Sequence, residues 1–284
     1  MRFKYLFIVL ILGACDPGVD VESMSARKLI SVTCIISPQD TVFTAYLYHG
    51  SPIGSTISKD SAAVKDALVT ISDGTKYDTL KLHSEIDPDT NKKGYKYVGR
   101  RKNLTVKTGF SYHLSVTTSD GISLEASCVI PAMPSNVSVE GQRVDDDYHF
   151  SVKWKNNSAD PYFILVMEAL GSYPSSQGGE IDLKPSLDEA VEFPSARQVV
   201  ENEYEGSVPF AYKAADPALR VTVQNIDGSI YNYFDTYRQY DRWQSNNSGS
   251  LLPNFKEVPI LYSNIKGGVG VFGGYNQVTL ISKP

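Results

Sequence analysis

The side chains that could do chemistry in this chain are four histidines, three cysteines and a few clustered carboxylates, and their spacing decides what is on offer. His49, His83, His113 and His149 each stand inside a β-type run. None has a second His or Cys at metal-ligand spacing, so each is expected on a strand surface. No Gly-x-Ser-x-Gly elbow, HExxH or paired Cys/His signature occurs. Asp145-Asp146-Asp147 offers oxygens of the kind calcium takes, but a solvated hairpin turn explains the run more simply. Glu201 and Glu203 are a pairing too common in loops to indicate glycosidase chemistry. The expectation is a non-enzymatic chain with no metal and no cofactor. Cys34 and Cys128 stand in the first and last strand-like runs of the N-terminal half. A disulfide and two buried thiols are both open readings.

The most distinctive stretch is Ser263-Asn264-Ile265-Lys266-Gly267-Gly268-Val269-Gly270-Val271-Phe272-Gly273-Gly274-Tyr275. Gly268 to Gly273 satisfies the dinucleotide pattern Gly-x-Gly-x-x-Gly. That fingerprint needs a helix directly afterward and an acidic residue about twenty positions on. The chain instead continues into a strand-like run, so nucleotide binding is excluded. The glycines are expected to permit positive φ and close backbone approach, with Val269, Val271 and Phe272 tucked inward. Asn264, Gly267, Gly268, Gly270, Phe272, Gly273 and Gly274 are thus a candidate binding or structural loop.

The elements that must position these residues are nearly all strands. Between residues 28 and 131, short β-type runs begin near Leu29, Thr41, Ala67, Tyr77, Tyr95, Phe110 and Ile122, several with period-two alternation. Asp73-Gly74 and Asp120-Gly121 mark tight hairpins. About seven strands in a hundred residues predict an antiparallel sandwich of Ig-like type. Ala67 to Gly74 resembles the strand-turn element of carboxypeptidase-regulatory-like and transthyretin-like domains.

Pro131 and Pro134 mark a linker, and residues 132–284 form a second β-rich domain. Runs from Val137, Tyr148 and Tyr162, with Trp154 ending one of them, are similar to the fibronectin type III arrangement. Residues 172–203 read as an irregular insertion. Ala218 to Val223 is a further strand. A helix over about 228–245 carries Ile230, Phe234 and Tyr237 on one face. Pro259 to Tyr262 and Gln277 to Ile281 are expected as closing strands.

At the N-terminus, Arg2 and Lys4 precede an apolar run from Tyr5 to Leu12 that ends on Leu12-Gly13-Ala14-Cys15. A charged start, a short apolar run and small closing residues describe a secretory signal over 1–14, too short to span a bilayer. The small residues before the cysteine resemble the lipobox of bacterial lipoproteins. That implies cleavage before Cys15 and lipid on its thiol and amino group, which anchors without a transmembrane helix. Residues 15–27 read as an acidic tether. Asp16, Asp20 and Glu22 resemble the surface-export signal of Bacteroidota lipoproteins, and solvated linker charge is the other reading. Asp40-Thr41-Val42, Asp60-Ser61-Ala62 and Asp78-Thr79-Leu80 resemble the O-glycosylation sequon of Bacteroidota exported proteins.

The lipobox, the Ala67 to Gly74 element, the aromatic helix and the Tyr262 to Tyr275 signature occur in the order seen in a domain-of-unknown-function family of Bacteroidota outer-membrane lipoproteins. The resemblance implies residence at the outer membrane, surface exposure and partnership with a TonB-dependent receptor in ligand capture or uptake. It supplies no catalytic residues. A net charge of −5 without a basic stripe argues against nucleic acid. The alternatives are a glycan-acting enzyme with a loop-built site and an adhesin-like structural module. The ligand is not named by any motif.

Overall fold

The computed structural model describes residues 29–50, 59–86, 91–144, 147–155, 162–174, 180–182, 201–209, 215–247 and 259–283. In chain order these form β1 (Ile30–Ile36), β2 (Val42–His49), the short helix α1 (Lys59–Ala62), β3 (Ala67–Ser72), β4 (Tyr77–Ile86), β5 (Lys93–Arg100), β6 (Ser111–Thr118) and β7 (Ser123–Val129). There follow β8 (Ser135–Val144), β9 (Asp147–Lys155), β10 (Tyr162–Pro174), β11 (Glu180–Asp182), β12 (Glu201–Pro209), β13 (Ala215–Ile226), the helix α2 (Gly228–Asn247) and β14 (Val269–Ser282). The protein is mostly β, as expected. One sheet has the order β11-β10-β13-β14-β1-β2-β5-β4-β3-β6-β7, and a second has β12-β9-β8.

Alternation in the sequence becomes inside and outside in the sheet. Along β6, Tyr112, Leu114 and Val116 are buried while Ser111, His113, Ser115 and Thr117 are exposed. β1 and β7 alternate in the same way. Their inner residues, with Phe43, Leu47, Val69, Ile71 and Leu124, make the first core. Burial of each such large side chain is worth roughly 1.5–3 kcal/mol. The Tyr112 hydroxyl donates to the Thr105 carbonyl at 2.9 Å and accepts from the Lys107 N–H at 2.8 Å, the corner by which a Greek-key sandwich pins its crossing loop. The second core joins Phe150, Val152 and Trp154 of β9 to Phe163 and Leu165 of β10 and Leu219, Val221 and Val223 of β13. Trp154 meets Phe163 edge-on, with centroids 5.6 Å apart.

β14 links the two halves. It pairs in parallel with β1, from Ser31↔Val269 to Ile36↔Gly274, and antiparallel with β13 from Ile226↔Tyr275 to Leu219↔Ser282. The linker is fastened to this joint. Asn276, fully buried, donates from Nδ2 to the Thr108 hydroxyl at 2.8 Å and to the Pro131 carbonyl at 3.2 Å, and its register partner Asn225 donates to the Ala132 carbonyl at 2.9 Å.

Two sequence expectations are corrected at this end of the chain. Pro259 to Tyr262 is not a strand. The Tyr262 N–H donates at 2.9 Å to the Thr236 hydroxyl of α2, which lays the segment along the helix instead. The closing strand begins at Val269 inside the glycine-rich stretch, eight residues earlier than Gln277. Glycines hide a strand from pattern reading when both of its faces are covered, because there is no exposed face to alternate with.

Candidate functional site

The glycine-rich stretch is built so that β14 can be covered on both sides. On one face Phe272 enters the first core, and on the other Val271 packs with Ile226 and Ile230 beneath α2. A Cβ on Gly270 would stand 1.9 Å from the Val32 carbonyl oxygen, and its φ of +117° already favours glycine. A Cβ on Gly273 would stand 2.2 Å from Ile230 Cγ1 of the helix. A Cβ on Gly268 would stand 2.6 Å from the Ile30 carbonyl oxygen and one on Gly274 2.7 Å from Ile130 Cδ1, and Gly267 turns at φ +81° against the Ser123 carbonyl. Asn264 completes the stretch. Its Oδ1 accepts from the Phe272 N–H at 3.0 Å, and its Nδ2 donates to the Phe272 carbonyl at 2.8 Å and to the Ser127 carbonyl at 3.4 Å. These seven residues therefore act in the fold, positioning β14 and through it α2.

α2 is seated by Asp227, which occupies the N-cap position. Its Oδ1 accepts from the Ile230 N–H at 2.9 Å, while Oδ2 accepts from the Gly274 N–H at 2.7 Å. The same carboxylate thus starts the helix and ties it to β14. Tyr162 and Tyr231 stack at 4.3 Å on the same side.

Between α2 and the start of β2 the sheet leaves a groove of about 510 Å³, within the roughly 300–1,000 Å³ usual for small-ligand sites. Ile35, Ile164, Ile226, Ile230, Phe234 and Val42 supply its apolar surface. Asp40, Thr41, Thr44, Gln224 and Tyr275 supply the polar part. The Tyr275 hydroxyl donates to Asp40 Oδ1 at 2.9 Å. Burial, and then the adjacent Asp40 charge, push the Tyr275 hydroxyl up to about 12, so it stays a donor. Burial also raises the Asp40 carboxyl above its usual range, outweighing the hydrogen bonds from the Tyr275 hydroxyl and the Ser37 backbone N–H and the pull of Arg101. Arg101 Nη1 donates to the backbone carbonyls of Ser37, Pro38 and Asp40, holding the loop that presents the carboxylate. Sequence reading missed this site. Its residues come from β1, the β1–β2 loop, β2, β10, β13, α2 and β14, and no local spacing brings them together.

The remaining candidates fall as follows. The four histidines are exposed strand residues, as expected. His113 Nδ1 lies 2.8 Å from Ser127 Oγ across paired strands, beside a second hollow of about 550 Å³ that Asn264 and Lys266 also line. Among the described residues no carboxylate bonds to that ring, so the orienting third group of nucleophilic catalysis is missing. Among the described residues no group of three or more His, Cys, Asp or Glu could hold a metal ion, and no helix is long and apolar enough to cross a membrane. Thr41, Ser61 and Thr79 are exposed. Cys15, the tether to residue 27, Asp145, Asp146 and most of residues 172–203 lie outside the described residues.

The disulfide reading is corrected. Cys34 and Cys128 are free thiols, both buried. Cys34 of β1 pairs with Phe272 of β14, and Asn264 bridges from Phe272 to Ser127, the neighbour of Cys128. Both side chains belong to the first core. Burial pushes the Cys34 thiol up to about 12 and raises Cys128 as well.

Fold and groove together define a mostly β protein whose two halves share a strand buried on both faces, with an apolar groove beside its long helix. Residues 18–281 match the domain of unknown function DUF4249, and the chain belongs to that family. No curated protein matches the chain.

Proposed function

We propose that this chain is a non-catalytic binding protein, held at the outer membrane by lipid on Cys15 and assisting a TonB-dependent receptor at the cell surface in ligand capture. The observation that carries the reading is the groove between α2 and β2. It has the size that small-ligand sites share, and apolar and polar side chains line it together. The lipobox, the acidic tether and the family resemblance read from the sequence support the location and the receptor.

A surface for the receptor is also on hand. The bond from Tyr262 to Thr236 lays residues 259–262 along α2, which brings Ile260 (90 % exposed) and Leu261 (41 %) to the helix that carries Tyr237 (48 %). Exposed aromatic and apolar side chains of this kind are what protein interfaces favour at their centres. Co-purification of the tagged protein from solubilised outer membranes tests the reading. A receptor is expected in stoichiometric amount, and recovery of the protein alone counts against it.

A further inference from the structure

We infer that the second hollow, on the outer face of β6 and β7, is a binding site for a small zwitterion, a free amino acid with a polar side chain, whose carboxylate meets Lys266 and whose ammonium meets Glu125. This site is separate from the groove beside α2 and does not rest on it.

The backbone pairing places the two charges. The Glu125 N–H donates to the Lys266 carbonyl at 3.1 Å, and the Lys266 N–H donates to the Glu125 carbonyl at 2.8 Å. Residues paired in this way direct their side chains to one face. Ser115 is the register partner of Glu125 on its other side, so Ser115, Glu125 and Lys266 form one row of the hollow. His113 and Ser127 form the next row. The segment that bears Lys266 is held by those two bonds and by the Asn264 amide, so the ammonium extends from a fixed backbone.

Opposite charges at such positions can close on each other across the strands. Here neither side chain has an ion-pair partner among the described residues. Apart from Glu125, the outward side chains of β6 and β7 are serine, threonine, one valine and His113, so no other carboxylate or ammonium of these strands competes there. A lone anion entering the hollow meets Glu125 and a lone cation meets Lys266, each a like charge. A zwitterion meets both with charge-assisted hydrogen bonds, about twice as strong as neutral ones. The hydroxyls of Ser115 and Ser127 suit a polar side chain, and about 550 Å³ is ample for an amino acid.

The probes are L-serine, L-asparagine and L-glutamine, each beside its analogue without the α-amino group and its analogue without the α-carboxylate. Each is titrated into the full chain carrying Cys15→Ser while backbone amide resonances are followed by NMR. At least one amino acid is expected to shift the Ser115, Glu125 and Ser127 amides and to bind about tenfold tighter than either of its analogues. Lys266→Met is expected to remove its advantage over the analogue without the carboxylate, and Glu125→Gln its advantage over the analogue without the amino group. Both positions are exposed, and unaltered amide spectra away from the hollow show that each variant is folded. Analogues that bind as tightly as their parents, shifts confined to residues outside the hollow, or no shift with any of the three amino acids each overturn the zwitterion site. The groove reading stands or falls separately.

Discussion

The side-chain amide of Asn264 closes both backbone hydrogen-bonding positions of Phe272, accepting from its N–H at 3.0 Å and donating to its carbonyl at 2.8 Å. One residue thereby takes the place of a neighbouring strand along β14, at a position where Phe272 is fully buried. Asn264→Ala is expected to destabilise the protein by about 2–4 kcal/mol, since two buried backbone groups lose their partners. Denaturant unfolding monitored by circular dichroism measures this. A change under about 0.5 kcal/mol contradicts the assignment.

Gly273 and Ile230 are a steric pair. Gly273→Ala puts its Cβ 2.2 Å from Ile230 Cγ1 and 2.7 Å from Cδ1, while the next atom, Asp227 Oδ1, is 3.3 Å away. The cost is expected to be about 1–3 kcal/mol and to shrink by at least about 1 kcal/mol when Ile230→Ala removes the opposing atoms. Gly270→Ala has no such rescue, because it meets the Val32 backbone. A double-mutant cycle showing additivity at 273 and 230 contradicts the packing of α2 on β14.

Cys34 and Cys128 are expected to resist a thiol reagent at neutral pH in the folded protein, because both are buried and the thiolate is strongly disfavoured. After unfolding without reductant, both should react. Failure of the two to appear under those conditions would restore the disulfide.

Asp73 gives a pH dependence of known sign. Its Oδ1 accepts from the Lys76 N–H at 2.8 Å and from the Thr75 N–H and hydroxyl at 2.9 and 2.8 Å, which lowers the carboxyl to about 2. The unfolded value is about 3.9. The folded state therefore favours the charged form. The contribution is complete above about pH 4 and is lost as pH falls towards 2. The stability difference between the protein and Asp73→Asn should close over that window and stay constant between pH 5 and 8. A difference that varies at neutral pH would rule this turn out as its source.

Most strands were legible because one face of each meets water. Tyr112-His113-Leu114-Ser115-Val116 alternates in sequence and in burial alike, and Asp73-Gly74 and Asp120-Gly121 mark turns whose glycines have φ of +88° and +87°. The α2 helix was legible from Ile230 and Phe234. The first half of β14 was not, since Gly270 to Gly274 is buried on both faces and shows no alternation. The groove was not legible either. Ile35, Asp40, Ile164, Phe234 and Tyr275 are brought together by the β1–β14 and β13–β14 pairings, contacts of long sequence separation that no window of sequence contains.

The most direct test of the central claim, a surface binding protein that works against a membrane receptor, is photo-crosslinking in intact cells. A photoreactive residue at Tyr237, exposed on α2, should yield one dominant covalent adduct, with a β-barrel receptor of the outer membrane. A protein that reaches the cell surface yet forms no adduct with any outer-membrane protein would contradict the claim.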